Sequence, residues 1–298
     1  MNALRFDGRV AVVTGAGRGI GRSYALLLAS RGASVVVNDL GGSPSGKGAD
    51  LAPAESVVAE IAALGGTALA DGSDISTTEG AEALIGTTVD ALGRIDAVIN
   101  NAGIIRWAGF PEADAENLAR HISVHLGGSF NVTRAAWPHF AAQEYGRVVM
   151  TTSSGVFGLP DNTSYAAAKG GVIGLTRSLA RAGASYGIRV NAIAPAAATR
   201  MGMPDDEATQ RAMDPVLVAP MAAYLAHEDC PVSGEIYAAG AGRFSRIFLA
   251  TTPGFVTEAP TIEDVADHWA AINDESDYDV PNDLLTWAST FMSHLGKR

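Results

Sequence analysis

The sequence predicts an α/β fold: one doubly wound parallel sheet of about seven strands, with helices on both faces and a C-terminal helical extension. Three observations predict it. The strand candidates are short continuous apolar runs, the mark of strands covered on both faces. Segments with apolar residues at helical spacing separate them, as crossovers in a parallel sheet require. A glycine-rich loop joins the first strand candidate to the first helix candidate. The 298 residues fit one domain of this class, which can run to about 250 residues. The expected division is a domain over 1–244 and an extension over 245–298 that packs on the same domain or on a neighbouring subunit.

The elements follow in order. Val10 to Val13 is a β-branched run, and Tyr24, Leu27, Leu28 and Arg31 then fall on a helical face. Val35 to Val37 is the second strand. A glycine-rich loop, Gly41 to Gly48, leads to a helix marked by Val57, Val58, Ile61 and Leu64. Thr67 to Ala70 is a weak strand and Ala81 to Leu92 a helix. Ala97 to Asn100 is a strand, followed by one long helix around Ala115 to Ala142. Arg147 to Thr151, Arg189 to Ala194 and Glu235 to Ala238 are the remaining strands, with helices over Tyr165 to Ser185 and Pro215 to Ala226 between them. Beyond Phe244, Pro253, Pro260 and Pro281 break up acidic stretches such as Glu263 to Asn273, which reads as a helical flap.

Composition narrows the class of partner. Hydrophobic residues are 47% and charged residues 18% of the chain, so it can bury a large core. The net charge of −11 repels phosphodiester backbones and argues against nucleic acid. The single cysteine, Cys230, excludes a disulfide framework and a thiolate zinc site. No apolar run approaches the length of a bilayer span, and Met1 to Asp7 is too short and polar for a signal peptide. The expectation is a soluble cytoplasmic protein with no membrane partner.

Thr14 to Gly21 reads Thr-Gly-Ala-Gly-Arg-Gly-Ile-Gly between strand and helix. Gly15 permits the tight turn, Gly17 and Gly19 let backbone approach a pyrophosphate, and Gly21 allows close helix–strand contact. The free N–H groups and dipole of the helix N-terminus then face the phosphates. Asp39 ends the second strand, where a carboxylate accepts from ribose hydroxyls. Together these point to a dinucleotide. Asp39 repels a 2′-phosphate, which favours NAD over NADP; Arg18 pulls weakly the other way. Gly41 to Lys47 has a phosphate-loop outline, but Gly48 stands where a magnesium-binding hydroxyl is needed; a mobile loop is the better reading.

Tyr165 and Lys169 stand at i, i+4 on one helical face. The hydroxyl run Thr151, Thr152, Ser153 and Ser154 closes a strand at the sheet's carboxyl end, where ligands bind in such folds. An ammonium beside a phenol favours the phenolate by Coulomb attraction, so Lys169 is expected to lower the Tyr165 pKa. His121 and His125 are also at i, i+4, but no acidic or thiol third ligand is apparent, and no metal is expected. Met201, Met203, Met213 and Met221 offer either core filling or an adaptable apolar wall.

Thr14 to Gly21, Asn100-Asn101-Ala102-Gly103, a Ser before Tyr165 and Lys169, and Asn191 to Pro195 together resemble the short-chain dehydrogenase/reductase family over about residues 5–240. The resemblance implies a single Rossmann-like domain and a homodimer or homotetramer. It implies Tyr165 as acid/base, Lys169 as its partner and holder of the nicotinamide ribose, and Ser153 as the group that polarises the substrate oxygen. Gly15, Gly17, Arg18, Gly19, Ile20, Gly21, Asp39, Asp74, Ile75, Asn101, Ala102, Gly103 and Pro195 would complete the cofactor site with Tyr165 and Lys169. The family's usual spacing before the tyrosine falls on Thr152, whereas alignment from the strand gives Ser153, with Ser154 next; the stiffer strand register favours Ser153. His125 stands where the family has an Asn, and Ala196 follows Pro195 where it has a Gly.

Within the family, Asn38 to Gly42, His125 to Phe130, Ile193 to Pro195 with Arg200 and Met201, and Val218 to Pro220 are similar to the (3R)-hydroxyacyl-CoA dehydrogenase branch, the unit of type 2 peroxisomal multifunctional enzymes. That branch implies NAD-dependent oxidation of a 3-hydroxyacyl-CoA or of a steroid alcohol. Gly296 to Arg298 is not a peroxisomal tripeptide. A dinucleotide sensor without turnover is the reading from another class. For an acidic chain to accept coenzyme A, a basic rim of Arg106, Arg200, Arg243 and Arg246 is the expectation.

Overall fold

A computed structural model describes residues 3–202 and 206–297; Met203, of the methionine group, lies outside them, as does Arg298. The chain alternates strands and helices: β1 (Val10–Thr14), α1 (Gly19–Ser30), β2 (Ser34–Asn38), α2 (Ala52–Ala63), β3 (Thr67–Asp71), α3 (Thr78–Leu92) and β4 (Ala97–Asn100). Then come α4 (Ala115–His121), α5 (Ser129–Ala142), β5 (Gly146–Thr151), α6 (Thr163–Gly183), β6 (Ile188–Ala196), α7 (Glu207–Ala212), α8 (Ala219–Ala226), β7 (Ile236–Gly240) and β8 (Arg243–Ile247).

The sheet order is β3-β2-β1-β4-β5-β6-β7-β8, parallel from β3 through β7. Every residue of β1, β4 and β5 is buried, as both-face coverage demands. β3 is an edge strand and is less buried, which accounts for its weak sequence signal. From β1 the order runs to β2 and β3 on one side and to β4 on the other. That reversal opens a crevice at the carboxyl ends of β1 and β4, the place where ligands bind in such sheets.

Two features add to the sequence reading. β8 is an eighth strand, joined to β7 by Ala241 and Gly242, both at positive φ (49° and 74°), the backbone that a two-residue hairpin needs. The run expected as one long helix is interrupted: α4 passes into a π-helical stretch, Ile122–Gly128, before α5 begins. Such wide turns commonly accompany functional sites, and apolar periodicity does not signal them.

At the amino ends of the strands, Asp96 is buried and accepts from Arg9 Nη1 (2.9 Å), Arg94 Nη2 (2.7 Å) and the Val10 N–H (2.9 Å). This one carboxylate ties β1 to the start of β4. Compact units meet at Arg246 and Ile247. The second unit contains α9 (Ile262–Asp267), α10 (Trp269–Ile272) and α11 (Leu284–Phe291). Thr261 and Asp264 cap α9 reciprocally, and Phe255 stacks on His268 at 4.3 Å. Among the described residues, no helix is long and apolar enough to cross a membrane.

Asp96→Ala removes the shared acceptor and leaves the Val10 N–H and two guanidiniums without it. The expected loss is about 3 kcal/mol, the lower end for breaking a buried ion pair because both arginines keep some solvent. A lowered urea midpoint checks it; an unchanged midpoint would show that solvent replaces the carboxylate.

Candidate active site

The loop after β1 is built around close approaches. Gly15 has φ of 63°, and a Cβ there would fall 2.8 Å from Ala102 Cα. A Cβ on Gly21 would sit 2.3 Å from the Gly15 carbonyl oxygen. The loop after β4 is stitched to the same place: the Asn101 and Ala102 N–H groups both donate to Thr14 Oγ1 at 3.0 Å, and Asn101 Nδ2 donates to Thr14 O at 3.0 Å. Asp39 Oδ2 accepts the Gly17 N–H at 2.8 Å, and Oδ1 accepts the Gly41 N–H at 2.7 Å.

These loops border a cavity of about 610 Å³. Its walls take in Gly15, Arg18, Gly19, Ile20, Gly21, Asp39, Asp74, Ile75, Asn101, Ala102, Gly103, Ser153, Tyr165, Lys169 and Pro195. Of the residues expected at the site, Gly17 alone stays behind the wall, bonded to Asp39. The cavity fits a dinucleotide. α1 starts without a side-chain cap, so its N–H groups are free for an anion. Arg18 Nη1 is buried with no partner, a donor awaiting an acceptor. Each Asp39 oxygen retains a second lone pair for a hydroxyl.

The opposite wall comes from β5 and α6. Asn162 caps α6 by accepting the Tyr165 N–H at 3.2 Å, which fixes the phenol on the first turn. Lys169, a turn later, is buried and donates from Nζ to Thr151 O at 2.7 Å. Thr152 Oγ1 donates to Lys169 O at 2.8 Å, so its hydroxyl is committed to α6. Ser153 Oγ accepts the Gly155 N–H at 3.0 Å, and its hydroxyl counters the rise that burial causes in the Tyr165 phenol. Ser154, exposed, opens a short 3₁₀ turn on the cavity wall. Of the three hydroxyls weighed from sequence, Ser153 and Ser154 line the cavity, and Ser153 is the one that influences the Tyr165 phenol.

Electrostatics differ from the expectation. Burial pushes the Tyr165 phenol above its ordinary value, opposed by the Ser153 hydrogen bond. Burial brings the Lys169 ammonium down to about 7. Lys169 Nζ lies 5.7 Å from the Tyr165 ring centroid, and desolvation of both groups outweighs the attraction read from their spacing.

Other expectations also change. The Gly41–Gly48 loop, read as mobile, is hydrogen-bonded to the body by Ile105 N–H to Pro44 O (2.8 Å) and Arg120 Nη2 to Gly46 O (3.3 Å), and within itself by Ser43 N–H to Lys47 O (2.8 Å). Of the basic rim, Arg106 pairs with Glu116 (3.1 Å) and Arg246 with Glu235 (2.7 Å). Arg243 is exposed on β8 outside the cavity lining; Arg200 does line it. Met201 is on the wall, while Met213 and Met221 are half-buried elsewhere. Trp107 and Arg120 line the cavity unforeseen; neither stands in a motif. Thr151 Oγ1, buried without a partner, was hidden in the hydroxyl run.

The model of the short chain dehydrogenase family matches residues 9–210. The chain belongs to that family. A short-chain type dehydrogenase/reductase of Mycobacterium tuberculosis is 47% identical, over 90% of this chain and 95% of the relative. Full-length peroxisomal multifunctional enzyme type 2 from Drosophila melanogaster superposes with a TM-score of 0.82 at 36% identity, covering 99% of this chain. This chain spans 50% of that enzyme. A 7α-hydroxysteroid dehydrogenase complexed with NADH and 7-oxo glycochenodeoxycholic acid has a TM-score of 0.72 at 30% identity, over 81% of this chain and 98% of that one. As a short-chain dehydrogenase, the chain is an oxidoreductase of alcohols and ketones that uses a nicotinamide dinucleotide.

Two outcomes follow from the site. Ser153→Ala should lower kcat by about a hundredfold, the usual worth of one hydroxyl donor at a reacting oxygen. Thr152→Val should instead cost about 1 kcal/mol of stability, for one buried hydrogen bond, with a far smaller effect on rate. The reverse ranking in a steady-state assay would restore the Thr152 register. The Lys169 value of about 7 lies below its ordinary 10.5. Between the two, the unfolded chain holds a proton that the folded chain lacks. Stability therefore gains from Lys169 as pH rises through that window, and Lys169→Met should flatten the rise. Urea midpoints of both proteins at about pH 7 and pH 9.5 check this; parallel slopes would mean the ammonium stays charged.

Proposed function

We propose that this chain is NAD-dependent and interconverts a 3-hydroxyacyl-CoA and its 3-oxo counterpart. The observation that carries the reading is the Tyr165–Ser153–Lys169 cluster on one wall of a cavity whose other wall holds Asp39. Asp39 is fixed by two backbone N–H groups, so a 2′-phosphate would meet an anchored negative charge. Likeness to the type 2 multifunctional enzyme supports the acyl-CoA. Ile104, Ile105, Leu159 and Met201 give the cavity an apolar side for an acyl chain, and Arg120 and Arg200 give it cationic groups for phosphates. The family resemblance extends the proposal to a homodimer or homotetramer.

The bound dinucleotide supplies the hydride acceptor and a positive ring charge. The protein does the rest. Ser153 donates to the substrate oxygen and holds it against Tyr165. Tyr165 takes the hydroxyl proton in oxidation and returns it in reduction. Lys169, when charged, favours the phenolate and binds the nicotinamide ribose. The apolar side excludes water from the reacting carbon and strengthens each of these contacts.

Incubation with NAD or NADP and a panel of 3-hydroxyacyl-CoAs and hydroxysteroids, followed at the NADH absorbance, tests the reading. Acyl-CoA turnover with a preference for NAD is expected. Tyr165→Phe should abolish turnover and leave NAD affinity within about threefold. Asp39→Ala should shift preference towards NADP. Turnover of steroids alone would move the substrate to the class bound by the hydroxysteroid dehydrogenase relative. NAD binding without any turnover would make the chain a dinucleotide sensor.

A further inference from the structure

Two buried imidazoles that play no part in the proposed chemistry face the phenol. His121 ends α4 and His125 lies in the π-helical stretch. Their rings stack with centroids 5.8 Å apart and planes 7° from parallel. Both meet the Tyr165 ring nearly at right angles: His121 at 6.1 Å and 84°, His125 at 5.2 Å and 88°.

Each ring is locked in place. His121 Nε2 accepts the Arg106 N–H at 3.3 Å and Nδ1 stands 2.9 Å from Asn117 O, which assigns a neutral ring with its proton on Nδ1. His125 Nε2 stands 2.8 Å from Ile104 O. Ile104 also turns its N–H towards Nε2 at 3.3 Å, and Nδ1 is buried without a hydrogen-bond partner. The same edge is closed by Gly103, where a Cβ would fall 2.5 Å from His125 Cε1 and 3.0 Å from Nδ1. Burial, with the Lys169 charge nearby, holds His125 well below its ordinary pKa.

The Gly103 backbone packs over Nδ1, which bonds to no protein group. What the pair does offer Tyr165 is shape. Edge-to-face contact fixes the plane of a ring and so the direction of its hydroxyl. The Ile104 bond ties that contact to the loop after β4, which borders the cofactor cradle. We propose that His121 and His125 are positioning residues: a stacked, neutral imidazole wall that holds the Tyr165 ring where its hydroxyl meets Ser153 and the substrate oxygen. The kinetic part of the test rests on the dehydrogenase reading; the spectroscopic part does not.

Replacing His125 by Ala or by Phe separates ring shape from ring nitrogen. His125→Ala is expected to lower kcat by about tenfold or more with the KM for NAD changed less than about twofold, because geometry at the reacting atoms is lost and cofactor binding is not. His125→Phe should recover most of that loss. Equal losses in the two variants would overturn the proposal and assign the role to the nitrogen. The second readout uses protein carrying ¹³Cζ-labelled tyrosine, with the Tyr165 signal assigned by its absence in Tyr165→Phe. That signal should keep its position and width in His125→Phe and shift or broaden in His125→Ala. An unmoved signal in His125→Ala would overturn the proposal whether or not any alcohol is turned over. A shifted signal, in a protein inert towards every alcohol, would sink the dehydrogenase reading and leave the ring contact standing. If His125→Ala does not fold, His125→Leu, which fills the space without an aromatic edge, takes its place.

Discussion

The burial of Lys169 is the constraint on which the site depends. An ammonium taken out of water costs several kcal/mol unless donors and acceptors around it are matched. Here the end of β5 supplies only part of the match, the Thr151 carbonyl accepting from Nζ while the Thr152 hydroxyl bonds the Lys169 carbonyl, and burial brings the ammonium down to about 7. Strand and helix are thereby locked in one register. That register leaves Ser153 as the next hydroxyl, on the same cavity wall as Tyr165. Two hydrogen bonds between main chain and side chain thus commit the Thr152 hydroxyl to α6 and leave Ser153 and Ser154 on the cavity wall.

The other half of the site is held by close backbone approach. Where β1 and β4 diverge from each other in the strand order, their loops touch through Gly15, Gly21, Asn101 and Ala102. Side chains would keep them apart. Asp39 then closes the loop from below, with both oxygens on backbone N–H groups. Both carboxylate oxygens are thereby held in place by the backbone.

The π-helical stretch links these halves. Widening the helix at Ile122–Gly128 sets His125 against both Ile104 and Tyr165. A regular helix would close each turn with one residue fewer and so turn His125 to a different direction. His125 Nδ1 is buried without a hydrogen-bond partner, and a buried polar atom in that state calls for an explanation beyond core filling.

The sequence by itself determined the order of seven strands and their helices, because apolar runs and helical spacing are local patterns that burial on two faces enforces. It also singled out the glycine loop, Asp39, Tyr165 and Lys169 by residue type and spacing, and the fold gathers them around one cavity. Tertiary structure decided what depends on distant neighbours. Desolvation set the direction of the Tyr165 and Lys169 shifts, against a Coulomb argument made from spacing alone. Arg106 and Arg246 left the expected rim because Glu116 and Glu235 reached them. Arg120 and Trp107 joined the cavity only because the chain folds back there. Long-range contact fixes burial and partner choice, and neither is written in a window of a few residues.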